Sequence, residues 1–160
     1  MKVIQVKLPF PLLGIDSDNG AEFINHHFYY YCQEQKLVFT RSRANHSNDS
    51  CYVEQKNWSV VRRFTGYERF EGQEAVDLLN AFYERLSKFN NFFLPSQKLL
   101  KRERYGDKVR KKHDHATTPY RRLLSDPRVD AIDKQRLMTE FASLDIMQLR
   151  HEMDELQEGI

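Results

Sequence analysis

The sequence predicts an α/β protein whose carboxyl-terminal part is mainly helical. In "PLLGIDSD", residues 11–18, the side chains divide between two faces with a period of two, which is typical of a short strand. The segment "LVFT", residues 37–40, has the β-branched and aromatic content of a second short strand. Between them, residues 21–35 carry apolar side chains at helical spacing. Strand, helix and strand therefore follow one another in the first part of the chain.

The helical pattern then continues towards the carboxyl terminus. The clearest helix is "QEAVDLLNAFYERLSKF", residues 73–89, because its apolar residues form one continuous stripe. In "TTPYRRLL", a proline near the first turn favours a capped helix start. Three more stretches have helical spacing: residues 51–64, 125–144 and 145–157. The region after residue 117 is therefore expected to be helical.

Charge divides the chain into three segments. Residues 1–97 carry 11 basic and 11 acidic side chains, residues 98–124 carry ten and three, and residues 125–160 carry four and nine. We interpret them as a domain portion, a basic segment and an acidic helical tail. The basic segment suits a polyanion, because each phosphate contact releases counterions. The alternative is a solvated linker that repels itself and stays extended.

The composition also bears on the compartment. No stretch approaches the roughly 18 to 20 apolar residues of a membrane span, and the first 14 residues do not form a convincing signal peptide. The two cysteines, Cys32 and Cys51, make neither a disulfide framework nor a CxxC pair. We expect a cytoplasmic protein without a membrane partner, associated with the nucleoid when it is bound to DNA.

Two acidic residues are candidate metal ligands. Asp18 stands at the end of the first predicted strand, and Glu54 lies on a predicted helix, with 35 residues between them. Each has an ordinary structural alternative: Asp18 as a helix N-cap and Glu54 as a first-turn glutamate favoured by the helix dipole. Asp16 shares the strand face of Asp18, and we interpret it as a supporting or surface charge.

The segments around these acids resemble a known family. "DSDNGAEF", followed after that interval by "NDSCYVEQKNWSVVRRFTGY", is similar to the catalytic core of insertion-sequence transposases and retroviral-type integrases. Those proteins are DDE recombinases with a ribonuclease H-like fold. The resemblance runs from about Leu8 to about Leu124, and "NFFLPS" adds to it.

The resemblance implies DNA integration or transposition, in which a hydroxyl attacks a DNA phosphodiester with the help of two Mg²⁺ or Mn²⁺ ions. Asp18 and Glu54 would be ligands of those ions, since phosphoryl transfer of this kind uses hard, anionic oxygen ligands. The expected partners are DNA (mobile-element ends and target) and a full-length transposase or a second copy of the chain. The candidate phosphate contacts are Lys56, Arg62, Arg63, Lys108, Arg110, Lys111 and Lys112.

The family uses three acids, and the first lies well upstream of the DNG motif. Only fifteen residues precede Asp16 here, and none of them is Asp or Glu. We therefore expect a partial ribonuclease H-like fold, holding its later strands and helices, without strand transfer by these residues alone. Two alternatives stay open: a non-catalytic product that binds DNA or the transposase through residues 98–160, and a degenerate remnant.

Overall fold

The computed structural model describes residues 5–6, 8–17, 26–43, 54–55, 57–66 and 69–159. The chain divides into two compact units, Met1–Arg69 and Phe70–Ile160. Both units mix helices with a small two-stranded sheet, so the α/β class predicted from the sequence is confirmed. Within the described ranges, no helix has both the length and the apolar character needed to cross a membrane.

The first unit contains a parallel strand pair connected through a helix. Strand β1 spans Gly14–Ser17, helix α1 spans His26–Glu34 and strand β2 spans Val38–Arg41. The strands pair in parallel, with Gly14 opposite Val38 and Ser17 opposite Arg41. Parallel strands need a crossover connection, which a helix usually provides. The two short strands predicted from the sequence are confirmed, and their parallel order is the new information.

Glycine is required at the start of β1. A Cβ atom on Gly14 would lie 2.7 Å from the carbonyl oxygen of Val38 and 3.1 Å from its Cβ. The absence of a side chain therefore allows β2 to pair closely at this point. On the helix side, the ring of Phe28 meets the ring of Phe39 edge to face at 5.3 Å, and the Cys32 side chain is buried.

A helical segment ends the first unit. Residues Asn57–Arg62 form a π-helical turn that continues into the short helix α2, Arg63–Thr65. The Thr65 hydroxyl donates to the carbonyl oxygen of Val61 at 3.1 Å. The helical pattern expected over residues 51–64 is confirmed for the part that the structure describes.

Two helices of the second unit pack through their apolar faces. Helix α3 spans Gly72–Lys88 and continues into a π-helical turn, Phe89–Phe93; the last helix, α6, spans Ile146–Glu158. Phe82 and Leu86 of α3 and Met153 of α6 are almost completely buried. The Arg85 guanidinium also donates to Glu152 at 3.2 Å. The apolar stripe predicted for residues 73–89 is thus the face that α3 buries.

An aromatic cluster forms a second part of this core. Helix α4 spans Pro119–Ser125 and helix α5 spans Ala131–Ala142. The core residues of the cluster are Phe92, Tyr120 and Leu137, and the rings of Tyr120 and Phe141 stack with centroids 4.7 Å apart. All three carboxyl-terminal helices have side-chain N-caps, supplied by Thr118, Asp130 and Asp145.

The basic segment forms an antiparallel hairpin. Strand β3 spans Leu99–Tyr105 and strand β4 spans Lys108–His113, joined by a turn at Gly106 and Asp107. Gly106 has φ = 58°, a value that glycine adopts without strain. The segment is therefore a paired ribbon, and the extended linker considered from the sequence is not what the structure shows.

Candidate metal ligands and candidate nucleic-acid interface

The first candidate ligand, Asp18, follows the carboxyl end of β1 in the sequence. Ser17, the last residue of β1, is buried, and its carbonyl oxygen accepts a hydrogen bond from the Ser42 amide at 3.0 Å. Asp18 comes next in the chain and lies outside the described residues. The strand end is consequently well held, and the assignment of Asp18 as a ligand stays a prediction.

The Asp16 carboxylate is used within the strand pair. Asp16 lies opposite Thr40 in the parallel register, and the Thr40 hydroxyl donates to Asp16 Oδ1 at 2.6 Å. This contact ties β1 to β2 at the surface. The sequence indicated a supporting or surface charge at Asp16, and the side chain is exposed as well as hydrogen-bonded.

Glu54 lies in a short helical stretch of the first unit, and its side chain is exposed. Trp58, four residues later, is 62% exposed. The donor chemistry fits the implied metal, since a carboxylate that solvent can reach is a hard oxygen ligand of the kind Mg²⁺ and Mn²⁺ take. Within the described residues, no group of three or more His, Cys, Asp or Glu side chains could hold a metal ion. Because Asp18 is not among the described residues, its pairing with Glu54 at one metal site stays a prediction.

The three basic residues predicted near Glu54 have different surroundings. Lys56 lies outside the described residues. The Arg62 guanidinium donates to the carbonyl oxygen of Gly66 at 3.3 Å, so it helps to satisfy the end of its own helix. Arg63 is exposed. Of the two described arginines, Arg63 is therefore the more accessible to a phosphate.

The other four predicted phosphate contacts lie together on β4. Lys108, Arg110, Lys111 and Lys112 are consecutive or nearly consecutive residues of one strand, and all four are exposed. Strand β3 adds Lys101, Arg102 and Arg104. Residues 99–113 carry seven basic and two acidic side chains, a net charge of +5.

Two cross-strand pairs of the hairpin join like charges. The register pairs Lys101 with Lys112, Arg102 with Lys111, Glu103 with Arg110, Arg104 with Val109 and Tyr105 with Lys108. Like charges directly opposite one another destabilise a strand pair. One ion pair opposes this repulsion, between Lys101 Nζ and Glu103 Oε1 at 2.6 Å. The hairpin thus holds more positive charge than its own acidic residues neutralise.

The base of the hairpin is fastened to helix α4. The Lys98 amide donates to Asp114 Oδ1 at 2.6 Å, and the Asp114 amide donates to the Lys98 carbonyl at 3.0 Å. Arg122 of α4 forms an ion pair with Asp114 and donates to the Ser96 carbonyl at 2.7 Å. The hydrogen bond from Arg122, followed by the one from the Lys98 amide, holds the pKa of Asp114 below its ordinary value. We call Ser96, Lys98, Asp114 and Arg122 the hairpin clamp.

Neither the hairpin nor the role of the basic residues of β3 was predicted from the sequence. The signal was weak, because the strands lack the alternation of apolar and polar residues that marks a half-buried strand. The dipeptide Gly106-Asp107 between two charged runs was the available turn signal.

Comparisons with known proteins add one relative. A stretch of 114 residues, 71% of this chain, is 42% identical to a protein of Sinorhizobium fredii (strain NBRC 101917 / NGR234) described as "Uncharacterized protein y4rM". The match covers 33% of that protein, so the chain spans about a third of the length of this relative. No protein-family model and no solved structure matches the chain.

Proposed function

We propose that this chain is part of a DDE-type DNA recombinase with a ribonuclease H-like catalytic core, in which Asp18 and Glu54 are metal ligands. The observation that carries the proposal is the parallel pairing of β1 and β2 across helix α1. In parallel α/β sheets, functional groups collect beyond the carboxyl ends of the strands. Asp18 follows the carboxyl end of β1 in the sequence, next to the buried Ser17.

The chemistry of the described residues supports this proposal in a second way. Bound Mg²⁺ or Mn²⁺ would activate an attacking hydroxyl and stabilise the leaving 3′-oxygen of the DNA. The protein has to place its carboxylates rigidly for this purpose. The hydrogen bonds from Thr40 to Asp16 and from the Ser42 amide to Ser17 fix the strand that leads to Asp18.

Paramagnetic NMR of the ¹⁵N-labelled chain tests the ligand assignment. We expect Mn²⁺ to broaden the amide signals of Ser17 and Gln55, the neighbours of the two acids. D18N and E54Q should each weaken Mn²⁺ binding by about tenfold or more, because each removes an anionic oxygen ligand.

The matched control is D16N, which removes the same charge two residues away. The amide oxygen that D16N introduces can still accept from the Thr40 hydroxyl, as Asp16 Oδ1 does. The strand pair is therefore kept, and D16N should leave the Mn²⁺ affinity within about twofold. Equal broadening in wild type, D18N and E54Q would overturn the assignment. Loss of Mn²⁺ binding in D16N but not in D18N would show that Asp16, and not Asp18, is the ligand.

The hairpin favours a second candidate function, DNA binding without catalysis. Its net charge of +5 and its exposed side chains suit a polyanion whether or not a metal is bound. Saturable, salt-sensitive DNA binding in the presence of EDTA, together with the absence of any Mg²⁺-dependent DNA processing, supports this second function over the first.

A further inference from the structure

We propose that the hairpin Leu99–His113 inserts edge-on into the major groove of B-form DNA, with each of its two faces against one row of phosphates. The inference rests on the proposed action on DNA and specifies the form of nucleic acid and the way it is held. It is carried by the arrangement of charge on the two faces of the ribbon.

Both faces of the ribbon are basic. Side chains that are opposite each other in the register share a face, and successive residues alternate between faces. The first face has four basic residues and one acidic residue: Lys101, Glu103, Tyr105, Lys108, Arg110 and Lys112. The second face, between the turn and the irregular pairing near Leu99, has three basic residues and no acidic one: Arg102, Arg104, Val109 and Lys111. A ribbon that lay flat on a polyanion would use only one of them.

Neither face is buried against a core. Every side chain of β3 and β4 is exposed except that of Glu103, which is half-buried. An antiparallel sheet normally buries one apolar face, and this ribbon has none. Its pairing is further weakened by the like-charge pairs Lys101–Lys112 and Arg102–Lys111. A partner that supplies negative charge on both sides removes this repulsion.

The dimensions fit the major groove of B-DNA. The major groove is about 12 Å wide and admits a two-stranded ribbon. The major groove of A-form RNA is too narrow and deep for side chains to read. Duplex DNA is therefore the form of nucleic acid that the ribbon fits.

The hairpin clamp supports this role because it fixes the direction of the ribbon. Arg122 of α4 is bonded both to Asp114, after β4, and to the Ser96 carbonyl, before β3. The two ends of the hairpin are thus fastened to the same helix. A ribbon held at its base loses less freedom when it enters a groove than a loose one does.

The test measures binding of the full chain to a 20-base-pair fluorescent duplex by anisotropy, in EDTA, across a salt series. Two variants each remove three charges: K108Q/R110Q/K112Q from the first face and R102Q/R104Q/K111Q from the second. We expect each to reduce the slope of log K against log salt by about 2.7, that is 0.9 per phosphate contact. Each should weaken binding by about a hundredfold or more at 0.1 M salt.

The control variant R128Q/R136Q/R150Q removes the same number of charges from exposed arginines outside the hairpin. It should change the affinity by less than about threefold, since its residues take part in no phosphate contact. An equal loss in the control would mean that only net charge matters and would overturn the proposal. A loss of affinity in only one of the two face variants would indicate that the ribbon docks flat, and would also overturn the proposal. Equal affinity for duplex RNA and duplex DNA would overturn it as well.

A second measurement does not depend on the folding of any variant. Wild-type protein should displace methyl green, a major-groove dye, and leave netropsin, a minor-groove ligand, bound; the opposite result overturns the proposal. Both measurements are made in EDTA, so neither depends on metal binding by Asp18 or Glu54. Failure of the metal-ligand assignment is therefore seen separately from failure of the groove proposal.

Discussion

At the scale of single residues, Gly14 determines how closely β1 and β2 approach. Its missing side chain leaves room for the Val38 carbonyl, which a Cβ atom would meet at 2.7 Å. Backbone atoms of a paired strand cannot move aside as the end of a flexible side chain can. A larger residue at position 14 would therefore push β1 and β2 apart.

We expect Gly14→Ala to lower the free energy of unfolding of the first unit by about 1–3 kcal/mol, the usual cost of overpacking. The measurement is the urea midpoint followed by the amide signals of β1 and β2. The matched control is Gly159→Ala, whose added Cβ would meet its nearest neighbour, Leu78 Cδ2, at 3.4 Å, an ordinary contact. An unchanged midpoint in Gly14→Ala would show that the pair does not need this close approach.

At the scale of elements, the hairpin is held by contacts at its base as well as by its own strand pairing. The strands carry two like-charge pairs, whereas the base is held by Asp114 and Arg122, both about one-fifth exposed. The pKa of Asp114 is lower in the folded protein than in the unfolded chain. Because folding lowers this pKa, the ionised Asp114 carboxylate stabilises the folded state fully above the ordinary Asp pKa of about 3.9. That stabilisation is lost as the pH falls below this value and through the folded-state pKa.

We therefore expect the hairpin amides to lose protection from hydrogen exchange as the pH falls from about 5 towards 2, after correction for intrinsic exchange rates. In D114N this pH-dependent loss should be much smaller, and protection should already be reduced at pH 5. Amides of helix α3 in the same samples give the reference. The same pH dependence in D114N and wild type would rule out Asp114 as its source.

At the scale of the whole molecule, the described residues of the two units differ in how many side chains they bury. The second unit contains the fully buried side chains of Phe82, Leu86 and Met153 and also the aromatic cluster. In the described part of the first unit, the buried residues are Ser17, Cys32 and Thr65. A two-stranded sheet without a larger apolar face is marginally stable in water. The stability of the chain should therefore be unequal between its units.

We expect residues 70–160, expressed alone, to unfold cooperatively in urea, and residues 1–69 alone to show little or no cooperative transition. Circular dichroism and the dispersion of amide signals would measure this.

The truncated second unit should also retain the buried contact of Phe82, so that F82A lowers its free energy of unfolding by about 3–5 kcal/mol. A cooperative transition in residues 1–69 alone would contradict the expected inequality.

The candidate site was only partly predictable from the sequence. Asp18 and Glu54 were chosen as candidate ligands from their spacing and from the resemblance to recombinases, and this assignment stays a prediction. Asp16 was interpreted as a supporting or surface charge, and its exposed carboxylate accepts from Thr40. The four basic residues of β4 were found as a charged run. Their partners Arg102 and Arg104 were not, because a charged run does not reveal with which residues it pairs.

The sequence by itself determined the local elements, because these depend on near neighbours: the two strands, the apolar stripe of α3 and the caps of the carboxyl-terminal helices at Thr118, Asp130 and Asp145. Tertiary structure decided the parallel pairing of β1 with β2, the close approach at Gly14 and the fastening of the hairpin to Arg122. These features join residues that are distant in the chain, so no local periodicity encodes them. The two basic faces of the hairpin belong to the same class, since they exist only once the register is set.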